Sequence, residues 1–119
     1  MKTLFVIALG GALGALGRYA LSQLALLLWG GGFPYGTLFI NVLGSFLIGL
    51  GAASLEGVLR AGLLVGFLGA FTTYSTFSLE SLRLFENGQM GLAFLYAFAT
   101  LSLALSACVA GLYLGRLWL

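Results

Sequence analysis

Four long apolar segments follow one another along the chain, and they constrain its fold more than any other feature. Each is long enough to cross the hydrocarbon core of a bilayer as a helix, which takes about 20 residues. They run over Thr3–Trp29, Tyr35–Leu55, Ala61–Leu82 and Met90–Trp118. Because the connections are short, neighbouring helices must be antiparallel, and both termini lie on the same side. The sequence predicts an all-α membrane protein in which residues 1–119 form a single four-helix transmembrane domain.

The composition of the chain supports this class and excludes several others. Hydrophobic residues make up 61% of the chain and charged residues only 7%, whereas soluble domains carry about 25% charged residues. Without histidine and with a single cysteine, the chain offers neither a conventional metal cluster nor a thiol–imidazole pair. It also has no basic patch for nucleic acid. We therefore expect neither an enzyme nor a nucleic-acid-binding protein.

Hydroxyl side chains are concentrated near the middle of the third segment. Six of the seven residues from 72 to 78 carry one: Thr72, Thr73, Tyr74, Ser75, Thr76 and Ser78. Hydrocarbon cannot hydrogen-bond these groups, so they must face protein, a water-filled cavity or an ion. Threonine and serine also compete for backbone partners, and a helix broken after Gly69 would expose carbonyls that can hold a hard cation. We expect function to lie in this stretch.

Aromatic side chains are interleaved with these hydroxyls. Phe71, Tyr74 and Phe77 are three residues apart and are expected to share one helix face. On the fourth segment, Tyr96 and Thr100 share a face in the same way. Aromatic stripes usually belong to a core, but the positive edge of a ring can also favour a small anion without any full charge. Core packing and anion contact are both open at this point.

Further polar side chains lie inside the predicted spans. Asn41 shares a face of the second segment with Thr37 and Ser45, and it can act either as a clamp between helices or as a donor to a passing anion. Arg18 can line an aqueous vestibule or extend to the membrane interface. Glu80 lies about two helical turns beyond the centre of its segment, where it can reach the headgroup region. Ionisable residues inside a span are candidates for function.

The basic residues show little asymmetry between the two ends of the predicted bundle. Lys2, Arg60 and Arg116 are expected on the side of the termini, and Arg18 and Arg83 on the other. Orientation is normally set by a clear excess of Lys and Arg on the cytoplasmic side. A chain so evenly charged can insert in both orientations and pair with an inverted copy about a two-fold axis. A single orientation with a small bias is the alternative.

Pairs of glycines four residues apart occur inside three of the segments. They are Gly10 and Gly14, Gly62 and Gly66, and Gly111 and Gly115. Small residues at this spacing let helix backbones approach closely in lipid. The same residues suit packing within one chain and packing between subunits.

Three motifs together resemble the Fluc (CrcB) family of small bacterial fluoride channels, and the resemblance extends over the whole chain. They are Gly-x-x-Gly-Arg-Tyr at 14–19, Gly-Thr-Leu-Phe-Ile-Asn-Val-Leu-Gly-Ser at 36–45, and Gly-x-x-Thr-Thr-Tyr-Ser-Thr-Phe-Ser-x-Glu at 69–80. The third motif is the most specific. The resemblance implies a fluoride-selective channel that exports fluoride passively across the cell inner membrane and serves fluoride resistance.

The resemblance also implies an antiparallel dual-topology homodimer with two fluoride pores and a third helix broken near the bilayer midplane. A structural sodium ion at the dimer centre would be held by backbone carbonyls of Gly69 and Thr72. The residues implied along the fluoride pore are Arg18, Asn41, Tyr74, Ser75, Thr76, Phe77, Ser78, Glu80 and Tyr96. Tyr74 departs from the family pattern, in which the first of two paired aromatics is usually Phe. Its hydroxyl either donates to fluoride or points away.

A proton-coupled small multidrug exporter has a similar length and the same number of spans, and is the main alternative. Such a pump needs a titratable carboxylate deep in the membrane to couple protons to its substrate. Here the first segment contains no acidic residue, and Glu56, Glu80 and Glu86 lie toward segment ends. A non-transporting assembly subunit would leave the hydroxyls at 72–78 without a role. The fluoride channel is therefore the preferred interpretation.

Overall fold

A computed structural model describes all 119 residues, and its regular structure is entirely helical. Four stretches are long and apolar enough to cross a membrane, and we refer to them as the first to fourth spans. They are Lys2–Trp29, Tyr35–Ala52, Gly57–Glu86 and Met90–Trp118. The prediction of an all-α protein is confirmed, with four helices long and apolar enough to span a membrane.

The connection between the second and third spans begins earlier than the apolar pattern predicts. The second span ends at Ala52 rather than Leu55. The chain turns here, since the Leu55 N–H bonds to the Gly51 carbonyl at 2.9 Å. The Arg60 guanidinium then donates to the carbonyls of Ala52 at 2.8 Å and Leu55 at 3.3 Å. These bonds satisfy carbonyls at the helix end, where no helical donor follows.

The third span is longer than the predicted segment of residues 61–82, because it runs from Gly57 to Glu86. Hydropathy does not count the polar residues at its two ends, whereas helical hydrogen bonding continues through them. Arg83 lies in the last turn of this span, where a cation interacts favourably with the helix dipole.

The spans pair in parallel, the first with the third and the second with the fourth. A Cβ atom placed on Gly111 would meet the backbone of Phe46, and one on Gly115 would meet the backbone of Leu50. Residue numbers therefore increase in the same direction along both helices of this pair. Consecutive spans accordingly run antiparallel, as the short connections predict.

All three glycine pairs provide close approach between helices of one chain. Gly10 and Gly14 lie against the backbones of Gly62 and Phe67, and Gly66 lies against that of Ile7. Packing within one chain thus accounts for the spacing. Because these contacts follow parallel helices, the end of the first span that carries Lys2 lies at the start of the third.

Both termini lie at one end of the bundle. Val6 packs on Gly62, near the start of the third span. Leu119 lines a cavity together with Leu63 and Leu64 from the same region. The arrangement agrees with an even number of spans.

Burial inside a single chain is sparse, with 18 of 119 residues buried. One core cluster, formed by Ile40, Leu64, Leu68 and Phe71, lies where the second and third spans meet. Another, formed by Leu84, Ala93 and Tyr96, joins the third span to the fourth. Most other large apolar side chains are exposed. A broad apolar surface is therefore left for hydrocarbon or for another protein chain.

Candidate functional site

Helical structure in the third span is interrupted at residues 72–74, which we call the interruption. At Thr72 the backbone is extended, with φ −79° and ψ 157°. The helical parts on its two sides are Gly57–Arg60, a π-helical stretch Ala61–Leu68, a single turn Gly69–Phe71, and then Ser75–Glu86. The interruption coincides with the hydroxyl-rich stretch of the sequence, and π-helical turns are frequent near functional sites.

The peptide of Thr73 is bonded to the side chain of Asn41 instead of to its own helix. The Thr73 N–H donates to Asn41 Oδ1 at 2.8 Å, and Asn41 Nδ2 donates to the Thr73 carbonyl at 2.9 Å. In a continuous helix this N–H would bond to the carbonyl of Gly69, four residues earlier. The Gly69 carbonyl is therefore left without its helical donor.

The carbonyl of Thr72 loses its helical donor in a similar way. That donor would be the N–H of Thr76, which bonds to Thr73 Oγ1 at 3.2 Å. Thr73 thus caps the second helical part of the span, as threonine commonly does at a helix start. Gly69 and Thr72 are the two residues whose carbonyls the family resemblance implies as ligands of a sodium ion.

The first span holds the interruption from one side through Arg18. Its Nε donates to the Ala70 carbonyl at 3.0 Å, so this carbonyl is occupied. The bond is part-buried, and it places the guanidinium close to the interruption. The structure therefore brings Arg18 to the backbone of the third span.

The second span holds the interruption from the other side through Gly44 as well as Asn41. The hydroxyl of Thr72 donates to the Leu68 carbonyl at 2.9 Å. Its methyl group occupies the position that a Cβ on Gly44 would take. Gly44 is buried, and its lack of a side chain is what lets Thr72 sit there.

A row of aromatic rings runs from the interruption to the connection between the first two spans. Ring centroids are 5.8 Å apart between Tyr74 and Phe77, 5.0 Å between Phe77 and Tyr96, and 5.5 Å between Tyr96 and Phe33. The Phe33 and Tyr96 rings meet edge to face, at 79°. Each pair has the tilted geometry that aromatic rings prefer.

Phe71 does not belong to this row, and the prediction that it shares a face with Tyr74 and Phe77 is wrong. Phe71 is 4% exposed and stacks on Phe67 in the core, whereas Tyr74 is 80% exposed. The extended backbone at Thr72 lies between them and changes the direction in which the following side chains point.

The buried hydroxyl of Tyr96 is bonded to Glu80. Tyr96 is fully buried, and its hydroxyl donates to Glu80 Oε1 at 2.9 Å. This hydrogen bond joins the third and fourth spans about one helical turn beyond Phe77. It also fixes the direction of a carboxylate that lines a cavity.

Two cavities adjoin this set of residues. The larger, of about 540 Å³, lies under the connection between the first two spans, and its lining includes Thr37, Thr76, Glu80 and Arg83. The other, of about 320 Å³, is lined in part by Asn41, Thr72, Thr73, Tyr74, Phe77 and Thr100. The predicted pore residues therefore divide between two spaces, with Thr76 on one and Phe77 on the other.

Ser75 and Ser78 follow the interruption at the start of the second helical part. The Ser78 hydroxyl donates to the Tyr74 carbonyl at 3.1 Å, and this carbonyl also accepts the Ser78 N–H at 2.9 Å. Ser75 Oγ lies 3.5 Å from Thr73 Oγ1. These two serines line neither of the two cavities.

Comparison with known proteins decides the family. Residues 5–112 match the family model described as CrcB-like protein, Camphor Resistance (CrcB). The chain belongs to the CrcB family. A CrcB relative from Thermus thermophilus, named fluoride-specific ion channel FluC, is 51% identical over 97% of this chain and 96% of its own. A protein of the same name from Agrobacterium fabrum is 44% identical over 98% of both chains. The resemblance seen in the three motifs is confirmed.

In this CrcB protein, reasoning from sequence missed the site roles of Gly44 and Thr73 and missed Phe33 altogether. Gly44 gives room to Thr72, Thr73 caps the helix after the interruption, and Phe33 extends the aromatic row. Gly44 and Thr73 lie inside the motifs that indicated the family, but the motifs did not indicate what either residue does. Phe33 lies in a turn next to Pro34 and showed no functional pattern.

Proposed function

We propose that the protein is a fluoride-selective ion channel through which fluoride leaves the cell passively across the inner membrane, and that it thereby provides fluoride resistance. The observation that carries this proposal is the 51% identity, over almost the whole of both chains, to a protein named a fluoride-specific ion channel. The sequence contains no nucleotide-binding loop of the Gly-x-x-x-x-Gly-Lys type. We therefore propose that fluoride flows down its own gradient without being coupled to nucleotide hydrolysis.

The fluoride path, in this proposal, follows the aromatic row and the hydroxyls beside it. A small anion gives up hydration in a narrow pore only where donors and positive ring edges replace it. Donors of this kind are the hydroxyls of Ser75 and Thr76, and that of Ser78 once it turns away from the Tyr74 carbonyl it now donates to. Ring edges come from Tyr74, Phe77 and Tyr96. Glu80 stands at the larger cavity, where its bond to Tyr96 holds the carboxylate to one side.

Arg18 and Asn41 keep N–H groups for the same path. The bond from Arg18 to the third span uses only Nε, which leaves both Nη groups of the guanidinium. Asn41 uses one Nδ2 hydrogen toward Thr73 and keeps the second. Both side chains can therefore hold the interruption and still offer a donor to an anion.

The functional unit, in this proposal, is an antiparallel homodimer with two pores. With Arg18 at the interruption, the ends of the bundle carry Lys2, Arg60 and Arg116 against Arg83. So few basic residues bias the orientation only weakly, and insertion in both orientations is proposed. Tyr74 is 80% exposed in the single chain and lies at the interruption, so a partner that covers it would also complete the surroundings of the path. A two-fold axis in the membrane plane then places the interruptions of both copies near the midplane.

A structural sodium ion is proposed at that axis. Its ligands would be the carbonyls of Gly69 and Thr72, whose helical donors are bonded to Asn41 and to Thr73 Oγ1. Two carbonyls from each of two copies give four oxygens, a ligand type suited to a hard monovalent cation. Unpaired carbonyls in hydrocarbon are costly, so the ion would stabilise the dimer rather than carry current.

Fluoride efflux from proteoliposomes, followed with a fluoride electrode, tests the channel. We expect electrogenic efflux that needs a potassium ionophore for charge balance, with chloride efflux far slower from matched vesicles. Chloride flux comparable to fluoride flux would refute the assignment. Drug uptake driven by a proton gradient, without fluoride flux, would instead support the multidrug exporter.

A further inference from the structure

We propose that Asn41 is a positioning residue for the cation site: by accepting the N–H of Thr73 it keeps the Gly69 carbonyl free of its helical partner. The inference rests on the sodium ion proposed above. It assigns to Asn41 a role that is separate from contact with the transported anion.

The two bonds between Asn41 and Thr73 are what support this role. An amide side chain carries an acceptor oxygen and a donor nitrogen on one carbon, and these can pair with the N–H and the carbonyl of a single residue. Asn41 uses both, at 2.8 Å and 2.9 Å. It is 9% exposed, so water does not readily take over either bond.

The acceptor atom of Asn41, Oδ1, determines whether the Gly69 carbonyl remains free of its helical hydrogen bond. If Oδ1 were removed, the nearest backbone acceptor for the Thr73 N–H in a helix would be the Gly69 carbonyl, four residues earlier. Re-forming that bond would satisfy both groups and continue the helix through the interruption. The donor half only satisfies the Thr73 carbonyl, which lies outside the proposed ligand set. The acceptor and donor halves therefore have separable consequences.

Two substitutions separate the effect of the Asn41 acceptor from that of its donor. Asn41→Leu keeps a side chain branched at Cγ and removes both bonds. Asn41→Asp keeps an acceptor for the Thr73 N–H and removes the donor. The measurement is the thermal stability of the purified protein, as sodium replaces N-methylglucamine at constant ionic strength, because a ligand that binds only the folded state raises the melting temperature.

In the parent protein we expect the melting temperature to rise with sodium concentration. Asn41→Leu should need about tenfold more sodium for the half-maximal rise, or show no rise, as expected for a change of about 1.4 kcal/mol or more in binding. Asn41→Asp should keep the sodium-dependent rise even though its negative charge blocks fluoride flux. Ser45→Ala, on the same helix face and outside the hydrogen bonds that hold the interruption, should respond to sodium as the parent does.

The outcomes distinguish this inference from the proposed function. If Asn41→Leu responds to sodium like the parent, or Asn41→Asp loses the response, the positioning role is wrong, and the Asp variant decides even if the Leu variant does not fold. A parent without any sodium response would overturn both the cation site and this role. Absence of fluoride flux in a parent that still responds to sodium would overturn only the channel.

Discussion

Replacing Gly44 with alanine should disturb the interruption through Thr72 alone. The added Cβ would occupy the position of the Thr72 methyl group, while its next nearest contact, with the Phe71 ring, is an ordinary 3.5 Å. The conflict is therefore with a single methyl group. Thr72 can relieve it only by rotating its side chain or by moving its backbone.

The cost follows from what that movement breaks. Rotation of Thr72 would remove the hydrogen bond from its hydroxyl to the Leu68 carbonyl, now 2.9 Å long, and such a bond contributes about 0.5–1.5 kcal/mol. Overpacking of a buried site typically costs about 1–3 kcal/mol. A helix gains up to about 1 kcal/mol when glycine becomes alanine. We expect a net loss on the order of 1–2 kcal/mol. A backbone shift at Thr72 would also move its carbonyl and so weaken sodium-dependent stabilisation.

A second substitution makes this reasoning refutable. Serine at position 72 keeps the hydroxyl and has no methyl group, so Gly44→Ala combined with Thr72→Ser should recover most of the stability and fluoride flux that Gly44→Ala loses. The pair forms a double-mutant cycle with a coupling of about 1 kcal/mol or more. Gly91→Ala is the control, because its Cβ would meet nothing within 4 Å. A double variant as impaired as Gly44→Ala would show that the methyl group is not the cause.

Three further predictions address the pore and the dimer. Phe77→Ile keeps apolar bulk and removes the ring edge, so fluoride efflux should fall sharply while the dimer persists on size exclusion, and normal efflux would make Phe77 a packing residue. Tyr96→Phe removes the donor that holds Glu80, so efflux should fall and should recover when Glu80→Gln is added, whereas equal loss in both variants would exclude charge as the cause. Two lysines added to one connection should bias insertion and lower activity, and co-expression with an oppositely biased partner should restore it. Full activity from one forced orientation would contradict the antiparallel dimer.

The course of the spans could be predicted from sequence because bilayer thickness fixes the length of an apolar helix. Hydropathy identified all four helices, and short connections fixed their directions. The ends predicted for the second and third spans were less accurate. At Ala52 the helix stops where Arg60 satisfies carbonyls, and this depends on hydrogen bonds that an apolar pattern does not encode.

The types of residue at the site could be predicted from sequence, whereas their hydrogen-bond partners could not. Thr72 and Thr73 were singled out because hydroxyls are unusual in hydrocarbon. Which backbone groups they bond depends on residues that are distant in sequence: Asn41 and Thr73 are 32 positions apart, and Arg18 and Ala70 are 52 apart. The alternative left open for Asn41, a clamp between helices, describes the contact seen here. The expectation for Phe71 failed because helical periodicity does not continue across extended backbone.

The interruption depends on three spans, and this explains why its sequence alone does not specify it. A stretch of threonine and serine in hydrocarbon would normally remain helical, because leaving a backbone N–H or carbonyl unbonded in lipid costs on the order of several kcal/mol. Here Asn41 replaces the helical partners of Thr73, and Arg18 bonds to the Ala70 carbonyl. Neither side chain bonds to the carbonyls of Gly69 and Thr72, which are the proposed ligands of sodium. In the proposed sodium site, the ion would be offered only oxygens that the neighbouring helices do not take, so the first and second spans would determine its ligands as much as the third.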